Sequence, residues 1–183
     1  MKIATIGKGN IGGGLAKKWR AAGHDVTELG KEGGDVSDAE VVLLAVPSAA
    51  VEDALGKVQG LEGKTVLDAT NVVSGDRPGG ADSVAEYVKS RTNGPTAKIF
   101  NINFAVLYDR LGEAGKTPSN LWTGDEEARE AAEQLSRDAG YEPVFAGGLE
   151  NARAQEDFIK LVFGINGGGM GAFLYRIAPP EQL

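Results

Sequence analysis

Six residues near the start of the chain, Gly7-Lys8-Gly9-Asn10-Ile11-Gly12, have types and a spacing suited to holding a phosphate rather than to breaking a bond. A G-x-G-x-x-G run works this way only between a strand and a helix. That context is present. Ile3 to Ile6 is a short β-prone run, and a helical pattern follows from Ile11 to Ala22, with Leu15, Trp19 and Ala22 on one face. In such a turn Gly7 permits a tight reversal, Gly9 lets backbone approach a pyrophosphate, and Gly12 lets helix and strand pack closely. The helix start adds unpaired N–H groups and a positive dipole. The motif predicts dinucleotide binding, with a purely structural glycine turn as the alternative.

NAD and NADP are told apart at the end of the second strand, where NAD proteins commonly carry an acid for the ribose 2′-OH. Counting on through a helix and turn puts that position at Gly30, followed by Lys31. A missing carboxylate and a following cation favour the 2′-phosphate of NADP(H). Glu28 and Glu32 lie close enough to compete.

Groups for acid–base work are sparse. The one histidine, His24, falls in the turn before the second strand, at the end of the sheet away from any ligand, which predicts a structural role. Nothing in the spacing of Tyr108, Tyr175 or Lys160 singles them out, and Tyr175 fits a packing stripe. Asp68, Asp109 and Glu156 are isolated acids without metal-ligand spacing. No catalytic residue and no metal site are assigned. Hydride transfer between two stacked rings needs neither, because proximity and orientation can supply up to ~7–11 kcal/mol of a barrier while the cofactors carry the chemistry.

The elements that must position this site alternate. Strand-like runs at Val26–Leu29, Val41–Val46, Lys64–Thr70, Ala97–Ile102 and Glu142–Phe145 are interleaved with helical patterns at Val51–Val58 and Asp82–Ser90. A further helix ends at Gly140, and an S/T-x-x-E pattern at Thr123–Glu126 predicts its capping box. The continuous apolar run from Val41 to Val46 suits a parallel strand covered on both faces. Together they predict an α/β, Rossmann-like doubly wound, mainly parallel sheet in a single domain, 1–183. Residues 150–177 are expected to form a C-terminal helical segment. Only Gly30–Glu40 separates the second strand from the Val41 run, too few residues for the usual helix, strand and helix, so a strand should be missing on the adenine side. The glycine cluster from Gly164 to Gly171 reads equally as a close approach to a flat ring, or a lid, and as a tight crossing or dimer contact.

The chain has 183 residues and a net charge of −7, with no cysteine. The acidic balance argues against nucleic acid as a partner. Absent cysteine excludes disulfides and thiolate chemistry and fits a cytoplasmic protein. The opening apolar stretch is too short for a signal peptide, and no run approaches the ~20 apolar residues of a membrane span. A homodimer through the apolar C-terminal segment is expected.

Across nearly its whole length the sequence resembles the NADP oxidoreductases dependent on coenzyme F420, a deazaflavin, a group that includes the NADPH-binding domain of the STEAP metalloreductases. The resemblance rests on the opening Ile-Gly-x-Gly-Asn-Ile-Gly, on Leu44-Ala45-Val46-Pro47 and on Val66-Leu67-Asp68-Ala69-Thr70-Asn71. It continues in Lys98–Ala105, Thr123-Gly124-Asp125, Gly147–Arg153 and Asn166–Gly171. It implies that Lys8, Gly9, Asn10 and Ile11 contact the pyrophosphate and that Gly30 and Lys31 face the 2′-phosphate. It further implies that Val46, Pro47 and Ser48 line the ribose, and that Asn101, Asn103 and Ala105 flank the nicotinamide. The C-terminal glycine cluster would lie near the second cofactor, coenzyme F420 or a flavin. Two departures stand out: Gly30-Lys31 where the family usually has Ser-Arg, and the short Gly30–Glu40 connection.

The expected activity is therefore NADP(H)-dependent hydride exchange with a deazaflavin or flavin. A dinucleotide-binding sensor or partner module without chemistry of its own is the alternative. Reduction of a small imine or carbonyl is disfavoured, because neither a separate substrate domain nor an acid–base group is found.

Overall fold

In the computed structural model, which describes residues 1–183, strand β1 (Lys2–Ile6) is buried from Ile3 onward. It leads through the glycine turn into helix α1 (Asn10–Ala21) and strand β2 (Asp25–Leu29). Strand β4 (Val41–Leu44) is buried at every residue, as its unbroken apolar sequence requires. Between β2 and β4 lies only a two-residue strand, β3 (Gly34–Asp35). It does not join the main sheet. It pairs instead with β5 (Val58–Gln59), which follows helix α2 (Val51–Gly56). The strand missing from the adenine side is thus absent as expected, and a small ribbon stands in its place.

The chain continues through β6 (Thr65–Asp68), α3 (Val84–Thr92), β7 (Thr96–Ile99), β8 (Ser119–Gly124), α4 (Arg129–Ala139), β9 (Glu142–Phe145) and α5 (Ala152–Ile165). The main sheet has seven strands in the order β2-β1-β4-β6-β7-β8-β9. Only the β7–β8 pair is antiparallel. Side chains alternate across it. Ile3, Val41, Leu43 and Leu67 face a core shared with α1 and α4, while Ala4, Val42, Leu44 and Val66 face one shared with α2 and α3. Trp19 anchors the first core, fully buried, with its indole N–H donating to the Leu135 carbonyl at 2.9 Å.

Two expectations need correction. Thr123 caps nothing, because it is buried inside β8, a strand the sequence reading did not find. The S-x-x-E capping box sits instead at Ser83, whose hydroxyl accepts from the Glu86 N–H at 3.1 Å. The C-terminal segment is helical only to Met170. The glycines break it, Gly171 turning at φ +73°, and Phe173–Ile177 runs on as a strap outside any regular element. Its Tyr175 carbonyl accepts from the Ser119 N–H at 2.8 Å, against the start of β8.

Replacing Trp19 with alanine removes one of the two largest fully buried side chains. The expected loss is about 3–5 kcal/mol, read as a lower urea midpoint at unchanged slope; a loss below about 1 kcal/mol would contradict this packing.

Candidate cofactor cleft

Three close backbone approaches shape the mouth of the sheet. Gly7 sits at φ +111° with its α-carbon against the Ala45 carbonyl, where a β-carbon would collide. A β-carbon at Gly12 would strike the Gly7 carbonyl oxygen. Both glycines are therefore packing residues. Gly9 differs: its backbone is extended, and a β-carbon there would meet nothing within 4 Å. Gly9 directly precedes α1, whose first turn has no side-chain cap and no acid to neutralise it. The amides of the first turn point at open space with the positive end of the helix behind them.

Two cavities meet at this turn. The first, about 610 Å³, runs outward over Gly7, Lys8, Gly30, Lys31, Asp53 and Lys57. The second, about 430 Å³, runs across the sheet to Thr70, Asn71, Asn101, Asn103, Ala105 and Phe163. Gly9, Ala45, Val46 and Pro47 line both, so they form one cleft over the carboxyl ends of β1, β4, β6 and β7. This is where ligands lie on open α/β sheets.

The cleft gathers Gly7, Lys8, Gly9, Gly30 and Lys31 at its outer end, and Asn10, Ile11, Asn101, Asn103 and Ala105 at its inner end, with Val46 and Pro47 between. Gly12 lies behind the cleft as a packing residue. Ser48 lines neither cavity; it opens a short 3-10 turn ahead of α2. The glycines of the C-terminal cluster do not line the cleft either, and a β-carbon at Gly164, Gly167, Gly168 or Gly169 would meet nothing. No tight crossing within the chain accounts for them.

At the outer end, Lys8 folds back so that its Nζ stands 3.6 Å from where a β-carbon of Gly30 would be. Glu28 is turned away and held by Arg20 at 2.7 Å. The Glu32 carboxylate leans over Gly30 on the other side, 2.8 Å from the same position.

The inner end is set by one strained residue. Phe100 is fully buried at φ +60°, a left-handed conformation that costs a non-glycine residue on the order of 1–3 kcal/mol. Edge contacts with Trp19 at 5.9 Å and Tyr141 at 6.5 Å hold it. The turn ends β7 and delivers Asn101 and Asn103 to the cleft floor. Asn101 exchanges hydrogen bonds with Asn71 and Gln155, and the Asn103 amide donates to Asn120 at 3.0 Å. Only the two asparagines themselves were legible in the sequence.

Beneath them lies a buried ionic group. The Lys98 ammonium, with no solvent exposure, is 2.6 Å from Asp68 and 2.9 Å from Glu156, and donates to the Thr70 carbonyl at 2.9 Å. Arg77 reaches the other Glu156 oxygen at 3.1 Å. Burial pushes the Asp68 carboxyl above its ordinary range, and the Lys98 charge opposes that rise. Asp68 and Glu156 were read separately from the sequence. The missed signal was Lys98, a charge inside a strand that must be covered on both faces.

No ionisable side chain lines the inner cavity. Tyr108 is buried and Tyr175 partly buried; loss of solvent around each ring raises both phenols well above their usual range, and exposed Lys160 pairs with Asp157. His24 lies 2.7 Å from Asp138, away from the cleft.

No protein-family model and no curated protein matches the chain. Solved structures do. One described as a candidate F420-dependent NADP reductase of Arthrobacter sp. FB24 is 22% identical, with 98% of this chain and 100% of that one covered at a TM-score of 0.78. A hypothetical protein of Sinorhizobium meliloti is 24% identical over 82% of this chain and 86% of its own, at 0.66. An imine reductase of Streptomyces aurantiacus is 16% identical, also at 0.66, and this chain, covered over 93%, spans 63% of it. The likeness establishes the Rossmann-like fold over essentially the whole chain.

Lys98→Ala leaves buried Asp68 without a cation and Glu156 with Arg77 alone, and a loss of about 3–5 kcal/mol is expected. Lys17→Ala breaks an exposed pair with Asp109 and should leave the denaturation midpoint nearly unchanged. Equal losses in chemical denaturation would contradict the contrast.

Proposed function

We propose that the protein is an NADP(H)-dependent oxidoreductase that passes a hydride between the nicotinamide and a second flat redox ring, the deazaflavin of coenzyme F420 or a flavin. The observation that carries this reading is the continuity of the cleft. An open glycine beneath a bare helix N-terminus leads directly into a cavity lined by amides and apolar groups with no acid or base. The residues fit a dinucleotide: amides of the first turn of α1 for the pyrophosphate, lysines at the outer end, and Asn101, Asn103 and Ala105 beside the ring. Bound NADPH would supply the hydride, and the chain would align and shield it. The names of the Arthrobacter and Streptomyces neighbours support a reductase on the same fold.

Two observations favour variants of this reading. Glu32 over Gly30 is the carboxylate that an NAD-preferring site would use, and a tighter affinity for NADH than for NADPH would select that form. The truncated adenine side favours a binding module without turnover.

The deciding experiment is anaerobic NADPH oxidation with coenzyme F420, FMN, FAD or no acceptor. Oxidation that depends on F420 or a flavin is expected. Saturable NADPH binding with no oxidation by any of these acceptors would overturn the hydride-transfer reading and leave the module. A second prediction separates ligand space from packing. Gly9→Val is expected to keep the melting temperature within about 3 °C, since its side chain enters open space, while weakening NADPH binding at least about tenfold, because that space is where the pyrophosphate sits. Unchanged binding would sink the assignment of the turn.

A further inference from the structure

The Gly30–Glu40 connection is too short to build the usual adenine-side wall, and another part of the chain closes that end. Two backbone links bind the connection to the end of α2. The Gly34 N–H donates to the Lys57 carbonyl at 3.2 Å, and β3 pairs with β5 directly after Lys57, Gly34 opposite Val58. Gly33, at φ +76°, lies so close to the Lys57 carbonyl that a β-carbon would collide with it. Lys64 adds a further clamp, its ammonium donating to the Ser37 and Ala39 carbonyls at 2.6 and 2.8 Å. The connection after Lys31 is therefore fixed to the backbone of Lys57, and Lys57 lines the same outer cavity as Lys8, Gly30 and Lys31. Its ammonium is engaged only by Asp53, one helical turn back at 2.7 Å, in an exposed pair of the kind worth little in water.

We propose that Lys57 is a specificity-determining residue for the 2′-phosphate, presented by the end of α2 in place of the wall the short connection lacks, with Asp53 holding its ammonium until the phosphate displaces it. The proposal rests on the dinucleotide reading of the cleft. Three lysines, Lys8, Lys31 and Lys57, then converge on a dianion, opposed by Asp53 and by Glu32 over Gly30. A monodentate ammonium is a suitable phosphate partner. Asp53 makes a neutral 2′-hydroxyl a poor competitor for Lys57, because a hydroxyl cannot replace a carboxylate on a cation.

The test is equilibrium titration of the full chain with NADPH and NADH by nicotinamide fluorescence, and with 2′,5′-ADP and 5′-AMP by calorimetry. Lys57→Ala should weaken NADPH and 2′,5′-ADP by about tenfold or more, as loss of a charged hydrogen bond predicts. NADH and 5′-AMP should stay within about twofold of wild type. Lys57→Arg should keep the preference, and Asp53→Asn should tighten NADPH without tightening NADH. Lys57 is exposed, and an unchanged melting curve for each variant confirms that affinity alone is being read. If NADPH binds and Lys57→Ala leaves the NADPH-to-NADH ratio unchanged, the proposal is overturned while the dinucleotide reading stands. If the wild type binds neither cofactor, both fall.

Discussion

Lys98 carries a full charge into a place without water, and three segments of chain must be where they are to tolerate it. Asp68 at the end of β6, Glu156 on α5 and the Thr70 carbonyl together surround the ammonium, and Arg77 closes the far side of Glu156. Removing any one partner would leave an uncompensated charge, which is far more costly than the pair is favourable. The arrangement works as a positional lock rather than a source of net stability. It fixes α5 against the sheet and sets the height of the Thr70-Asn71 edge. The amide network of Asn71, Asn101 and Gln155 is built directly on that edge.

The outer half of the cleft obeys a different constraint, that of backbone against backbone. Gly7 and Gly12 exist to let β1, β4 and α1 approach more closely than side chains allow, and the approach aims the first amides of α1 outward. Gly9 has no such packing duty. Its lack of a side chain leaves the space beside the start of α1 open. Polar backbone supplied by a helix terminus and polar amides supplied by a strained turn therefore meet in one cleft, with apolar Val46 and Pro47 between them. The inner end of the cleft offers no side chain that would move a proton.

What the sequence made legible follows from range. The glycine turn, the buried parallel strands and the missing adenine-side strand depend on local spacing, and each was readable. So was the structural place of His24, because the turn before β2 lies at the wrong end of the sheet. β8 was not, because Ser119-Asn120-Leu121-Trp122-Thr123-Gly124 lacks both strict alternation and a continuous apolar run, and Thr123 also fits a helix cap. The helix start was legible to within a residue or two, at Asp82 against an observed cap at Ser83, although the Ser83–Glu86 box itself was not singled out. Lys57 was invisible for a stronger reason. It is more than twenty residues from Lys31 in sequence, and only the β3–β5 ribbon brings them to one cavity. The left-handed Phe100 is likewise imposed by tertiary packing, and no local pattern announces it.

The most direct measurement is the amide spectrum of ¹⁵N-labelled protein titrated with NADPH. If the bare N-terminus of α1 holds the pyrophosphate, the Gly9, Asn10 and Ile11 amides should show the largest saturable shifts, as new hydrogen bonds form at N–H groups that now have no partner. Shifts concentrated elsewhere on the molecule, with these three amides unmoved at saturation, would contradict the account, as would the absence of any saturable shift.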